Sequence, residues 1–178
     1  MAKVNFERMH TLGDIVRVHA DERPQAIAFE FEGRSTTFAQ LNAHTNQIAN
    51  ALLAAGVRQG QRIAYVGKNS DQYFELLLGA AKAGIVMVPV GWRLAPPEIA
   101  YIVENAEAQI LFVGPEFVDL VKVHAATLGD TRPVIATETP AFEAWRDAQP
   151  ASEPAATVKS SDVTIQLYTS GTTGKPKG

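Results

Sequence analysis

The sequence predicts an α/β fold, a mostly parallel sheet covered by helices. Three observations carry the fold class. Strand and helix patterns alternate from Thr11 to Asp147. The run Ile85-Val86-Met87-Val88-Pro89-Val90 is apolar without alternation, which suits a strand covered on both faces of a parallel sheet. Between Asp71 and Ala83 the residues Phe74, Leu76, Leu77, Leu78, Ala80 and Ala81 surround nearly the whole circumference of a helix, so that helix should be buried.

Each element has its own signal. Thr11-x-x-Asp14 starts a helix that continues through Ile15, Val16 and Val18, since hydroxyl and carboxylate can satisfy free backbone N–H groups. Ala26 to Phe31 reads as a strand, Glu32-Gly33 as a turn and Ser35 to Thr37 as a short return strand. Thr37-x-x-Gln40 is a capping box, after which Phe38, Leu41, Thr45, Ile48 and Leu52 line one helical face. Gly56 suits the stop, because it tolerates positive φ.

Arg62 to Val66 is the next strand, and Ser70 caps the apolar helix that Gly84 ends. Pro96-Pro97 opens a helix with Ile99, Ile102, Val103 and Ala106 on one side. Gln109 to Val113 is a strand, and Phe117, Leu120, Val121, His124 and Leu128 mark a helix. Pro133 to Ala136 is a short strand, followed by a helix near Phe142 to Asp147. Residues 1–148 thus make an α/β layer. Residues 149–161 are Pro, Ala, Ser and Glu without period and read as a surface linker. Residues 162–178 hold a last strand, Val163 to Tyr168, and the tail beyond it.

Composition removes several function classes. The 178 residues are 46% hydrophobic and 20% charged, ordinary for a globular domain. A net charge of −3 argues against a broad nucleic-acid surface. There are no cysteines, hence no disulfide framework or thiolate chemistry, and a reducing cytoplasmic location is the expectation. The N-terminus lacks a signal-peptide pattern. The stretch from Leu76 to Val90 is too short for a membrane span and is broken by Gly79, Gly84 and Pro89. A homo-oligomer is left open.

The tail Tyr168-Thr169-Ser170-Gly171-Thr172-Thr173-Gly174-Lys175-Pro176-Lys177-Gly178 carries the chemistry. Its glycines let backbone N–H groups approach an anion without a Cβ in the way. Its hydroxyls can donate to phosphate oxygens or ligate Mg²⁺, and its lysines bring point charges. It is not a Walker loop: only Thr172 and Thr173 separate Gly171 from Gly174, and Pro176 follows Lys175. On composition alone a solvated Gly/Ser/Thr tail would be the reading. An ordered string behind an apolar strand points instead to phosphate binding.

The string resembles the signature of the AMP-forming acyl-CoA synthetases and their adenylate-forming relatives, Tyr-Thr-Ser-Gly-Thr/Ser-Thr-Gly-x-Pro-Lys-Gly, and matches every fixed position. Earlier blocks are similar too: Thr36 to Leu41, Val57 to Ala64, Gly79 to Gly84, Val88-Pro89-Val90 and Trp92-Arg93-Leu94. Phe38, Gln40, Gln61 and Gly91 stand where the family more often has Tyr, Glu, Asp and Asn or Asp.

The resemblance implies a two-step reaction. A carboxylate attacks the α-phosphorus of ATP to give an acyl-adenylate and pyrophosphate. A thiol, commonly that of coenzyme A, then displaces AMP. Thr169, Ser170, Gly171, Thr172, Thr173, Gly174, Lys175 and Lys177 fall in the loop that holds the β- and γ-phosphates, and Thr169 at the position that helps hold Mg²⁺. Tyr168 and Gly178 are expected to be structural. No catalytic residue falls within the chain. The adenine contacts, acid pocket and catalytic lysine of the family lie further along, so a longer protein is expected, with the 178 residues alone inactive. The partners implied are small molecules: ATP, a carboxylic acid and coenzyme A. The block Trp92 to Ile99 leans towards medium- or long-chain fatty acids. An aryl- or amino-acid-activating enzyme and a non-catalytic binding module that keeps the fold are the alternatives.

Other candidates are weaker. His10, His19, His44 and His124 have no metal-ligand spacing. Neither Gly-x-Ser-x-Gly nor Gly-x-Gly-x-x-Gly occurs. Trp92 and Arg93 could bind an anion, but a packed Trp92 and an Arg93 paired with a carboxylate are the favoured expectation.

Overall fold

The computed structural model describes residues 5–122, 130–169 and 176–178. Helix α1 (Leu12–Glu22) starts at the predicted capping box: Thr11 Oγ1 accepts from the Asp14 N–H, and the Asp14 carboxylate accepts from the Thr11 N–H. Strands β1 (Ile27–Phe31) and β2 (Arg34–Thr37) form an antiparallel hairpin. Its turn residues Glu32 and Gly33 both have positive φ, 48° and 79°, the geometry that matches strand twist. Thr37 and Gln40 cap α2 (Phe38–Ala54) reciprocally.

Then follow β3 (Arg62–Val66), α3 (Asp71–Lys82), β4 (Val86–Val90), α4 (Pro96–Asn105) and β5 (Leu111–Val113). A further helix, α5, covers 118–122 of the described residues. His124 and Leu128, predicted to continue it, lie outside them. Strand β6 (Val134–Ala136) and helix α6 (Pro140–Asp147) complete the layer.

The sheet is parallel throughout, in the order β4-β3-β5-β6. Alternate residues of each strand feed opposite faces. Ile63, Tyr65, Met87 and Phe112 meet Ile48, Leu52, Leu76, Ala80 and Phe142 from α2, α3 and α6. Ala64, Val66, Val88, Leu111 and Val113 meet Ile99, Ile102, Val103 and Val121 from α4 and α5. Gly79 lets α3 approach α2: a Cβ there would lie 2.6 Å from Ile48 Cγ2.

Two expectations change. Helix α3 is mostly buried, yet Phe74 reaches the surface beside Phe29, ring centroids 5.6 Å apart. The inward positions include Glu75 and Lys82 instead. The strand expected at 163–168 reduces to a single parallel bridge, Met87 with Ile165. The Met87 N–H donates to the Thr164 carbonyl and the Gln166 N–H to the Met87 carbonyl. The next β4 residue facing that edge is Pro89, which has no N–H to extend the ladder. Val163 and Leu167 are 62% and 64% exposed.

Between α6 and this bridge, residues 149–162 carry no helix or strand and follow the surface of α2. Side-chain amides of α2 hold their backbone. Gln47 Nε2 donates to the Gln149 carbonyl, Asn46 Nδ2 to Ala151, and Asn50 Nδ2 to both Pro150 and Ser152. Gln59 Nε2 takes over at the Thr157 carbonyl and the Asp162 carboxylate.

Ion pairs anchor the same strap. Lys82, its side chain fully buried, donates to Asn42 Oδ1 at 2.6 Å and Asn46 Oδ1 at 2.5 Å, with Glu153 Oε1 at 3.5 Å. Burial pushes its ammonium down from the ordinary 10.5 to about 8, against the pull of Glu153. Glu153 also binds Arg17. Nearby, buried Glu75 accepts from Arg146 of α6 at 3.0 Å and lies 2.7 Å from His44 Nδ1. His44 thus has a structural partner.

Candidate phosphate-loop site

The strap delivers residues 163–168 to the edge of β4, and the phosphate-loop signature begins where they end. Thr169 and Lys177 pair antiparallel. The Thr169 N–H donates to the Lys177 carbonyl at 2.9 Å, and the Lys177 N–H to the Thr169 carbonyl at 3.0 Å. Residues that exchange both bonds in this way sit about 5.5 Å apart at Cα. The two described ends of the signature therefore meet at one point, on a two-bond base.

Of the sequence-predicted site residues, Thr169 and Lys177 are brought together at that base. Ser170, Gly171, Thr172, Thr173, Gly174 and Lys175 lie outside the described residues. The side chains of Thr169 and Lys177 are exposed and, among the described residues, make no hydrogen bond or ion pair. A hydroxyl donor or ligand and a free ammonium thus stand at the mouth of the loop, a donor set that fits phosphate oxygens and a hard cation.

Tyr168 ties the base to the body of the protein. Its ring packs against the apolar cluster under α4. Gly178 lies directly on that ring: a Cβ there would meet Tyr168 Cε2 at 2.6 Å. Its hydroxyl donates to Asn105 Oδ1, at the end of α4, at 2.7 Å, and accepts from Gln166 Nε2 at 3.2 Å. Burial, reinforced by Tyr101, raises its pKa above the ordinary phenol value, so the hydroxyl keeps the proton it donates.

Sequence reasoning missed Asn105 and Gln166. Gln166 carried a weak signal, since in Thr164-Ile165-Gln166-Leu167-Tyr168 the polar positions alternate onto Tyr168's side. Asn105 carried none, because its partner is 63 residues away.

A second group of cations sits where the carboxyl ends of β3 and β5 lie side by side. The segments that follow these strands diverge to opposite faces of the sheet, the arrangement that opens a ligand crevice in α/β folds. Here the backbones close up: a Cβ on Gly114 would lie 3.3 Å from the Gly67 Cα, and the Tyr65 hydroxyl fills the space beside Gly67. Lys68 bridges to Glu116 at 2.7 Å. Trp92 packs against Phe117, as expected of a strand-end aromatic. Arg93 departs from expectation. It has no carboxylate partner among the described residues and lies over the Trp92 ring, 4.2 Å from its centroid. A flat guanidinium gains more from an adjacent aromatic face than from a distant carboxylate across solvent.

Among the described residues no helix is long and apolar enough to cross a membrane.

Comparison with known proteins places this geometry in context. The family model described as "AMP-binding enzyme" matches residues 16–178. The chain is similar to the fatty acid–[acyl-carrier-protein] ligase ScoC of Streptomyces coeruleorubidus, with 40% identity over all of this chain and 34% of that protein. It is also similar to the long-chain-fatty-acid–CoA ligase FadD13 of Mycobacterium tuberculosis, with 34% identity over 96% of this chain and 34% of that protein. Among solved structures, the anthranilate CoA ligase AuaEII in complex with anthranoyl-AMP superposes with a TM-score of 0.86 at 30% identity, over 94% of this chain and 33% of that one. The chain spans about a third of the length of these relatives.

Proposed function

The chain belongs to the AMP-binding enzyme family, and from that premise we propose that its full-length protein activates a carboxylic acid with ATP, giving an acyl-adenylate and then a thioester. Within it, residues 1–148 are the α/β layer, 149–161 the linker strap and 162–178 the segment bearing the phosphate loop. The observation that carries this reading is the two-bond closure of the signature by Thr169 and Lys177. It turns a Gly/Ser/Thr string into a loop with fixed ends.

In this reading Ser170, Gly171, Thr172, Thr173, Gly174 and Lys175 complete the cradle for the β- and γ-phosphates. Lys177 supplies charge at its rim. Thr169 would help hold Mg²⁺, which would neutralise phosphate charge. The contribution of the chain is positioning and charge stabilisation: holding the pyrophosphate leaving group still while a carboxylate attacks the α-phosphorus. The acid we favour is a medium- or long-chain fatty acid, as for FadD13 and ScoC by name, with coenzyme A as thiol.

A second reading has support of its own. The anthranilate ligase superposes as well as the fatty acyl-CoA synthetase of Mycobacterium tuberculosis does, with a TM-score of 0.83 for the latter, so an aryl acid is the alternative substrate. ScoC, whose name gives an acyl carrier protein as acceptor, makes that protein the alternative thiol.

The test is acid-dependent exchange of labelled pyrophosphate into ATP by the full-length protein, across fatty, aryl and amino acids. AMP release with coenzyme A or a carrier protein then follows. Exchange that requires a fatty acid supports the proposal. Pyrophosphate release independent of any acid or thiol would overturn it.

A further inference from the structure

Among the described residues the base of the phosphate-loop signature is tied to the rest of the fold through Tyr168, whose ring packs on the apolar cluster under α4 and whose hydroxyl meets Asn105. Thr169 and Lys177 hold each other, but neither touches the core through its side chain among the described residues. What connects this base to the protein is Tyr168, immediately before Thr169, with Gly178, immediately after Lys177, lying on its ring. Both strands of the base are therefore registered against one aromatic plane. At its far end the Tyr168 hydroxyl meets Asn105 Oδ1 at 2.7 Å.

We propose that Asn105 is a positioning residue for the phosphate loop: it fixes the Tyr168 ring on which Gly178 rests, and through it the orientation of the Thr169–Lys177 base. The chemistry suits the task. A side-chain oxygen at position 105 accepts, and the phenol stays protonated to donate. Gln166 Nε2 donates to the same hydroxyl oxygen at 3.2 Å, which leaves the phenol proton directed at Asn105. Asn105 is itself exposed at the end of α4, so its side chain is not needed for the core. The proposal deepens the functional reading above and rests on it for its kinetic part.

The experiment compares wild type, Asn105→Leu and Asn105→Asp in the full-length protein, by two readouts. In ATP–pyrophosphate exchange with the preferred acid, Asn105→Leu should raise the KM for ATP roughly 3–10-fold, the effect of losing one hydrogen bond. The KM for the acid and the urea midpoint should stay as in wild type, and Asn105→Asp, which keeps an acceptor, should restore the ATP KM to within about twofold. In hydrogen exchange, the Thr169 and Lys177 amides should exchange faster in Asn105→Leu by a similar factor and return to wild-type rates in Asn105→Asp.

An unchanged ATP KM with unchanged amide exchange would overturn the proposal, as would a rise in both KM values with a lower urea midpoint, which marks general destabilisation. If wild type shows no exchange of pyrophosphate, the functional reading fails, and the two amides alone decide whether Asn105 holds the base.

Discussion

The strap of residues 149–162 and the base of the phosphate loop both lack regular structure, yet they are held by opposite means. Side chains of α2 and α3 reach out and grip the backbone of the strap: Asn46, Gln47 and Asn50 by amides, Lys82 through Glu153. The loop base is held by its own backbone, two bonds between Thr169 and Lys177. On the strap side every buried charge is committed to a partner. On the loop side Thr169 and Lys177 have exposed, uncommitted side chains among the described residues. A committed polar group builds structure; an uncommitted one beside a phosphate-loop signature is available to a ligand.

This contrast can be broken from the structural side first. Glu75 is buried between Arg146 and His44. Glu75→Leu removes the buried partner of the Arg146 guanidinium, which keeps only the more exposed Asp147, and should cost about 1–3 kcal/mol in urea unfolding. A loss below about 1 kcal/mol would show that the pair does not anchor α6. The loop side should respond the other way. Lys177→Ala in the full-length protein should cut acid-dependent pyrophosphate exchange about 10–100-fold, the worth of one charge-assisted contact. Stability should move by less than about 0.5 kcal/mol. Undiminished exchange would remove Lys177 from the phosphate site.

Acidity sharpens the comparison. Lys82 titrates near 8 in the folded chain and near its ordinary 10.5 when unfolded. Below about 8 both states hold the proton, and the penalty of burying the charge is fully present. Between 8 and 10.5 the unfolded state binds more protons, so this group makes stability rise with pH, by at most about 1.4 kcal/mol per unit. Urea midpoints at pH 7.5, 8.5 and 9.5 should diverge between wild type and Lys82→Met, the variant lacking that rise; parallel curves would refute the assignment. The smallest effect belongs to the strap. Asn50→Ala loses two partly solvated bonds to strap carbonyls and should cost about 1 kcal/mol. It should release protection of the strap without changing exchange at the Thr169 and Lys177 amides.

What the sequence revealed follows the same division. Caps such as Thr11, Thr37 and Ser70 act on neighbours three residues away, so their meaning is local and legible. The apolar run of β4 declared a parallel sheet by itself. The family was legible in the tail because its signature is an ordered string of glycines, small hydroxyls and lysines. The burial of Lys82 was not legible, since nothing nearby in sequence names Asn42, Asn46 or Glu153 as its partners. The strand at 163–168 was over-read because its extent depends on Pro89 of the neighbouring strand, which cannot donate to it. Arg93 was misassigned because an exposed arginine chooses between partners that only the fold brings close.

The manner in which α2 holds the strap has a consequence for how this stretch can change over time. Its amides read main-chain carbonyls, which every amino acid supplies, so substitutions between 149 and 158 should drift almost freely except at Glu153, whose carboxylate meets Lys82, Arg17 and Asn46. The spacing cannot drift. Thr157 and Asp162 are met by Gln59, and Ile165 must arrive opposite Met87 for Thr169 to stand at the right place. One residue added or lost would turn the pleat over and move the loop with it. Apart from that one anchor, the strap works as a ruler, indifferent to the lettering along it and strict about its length.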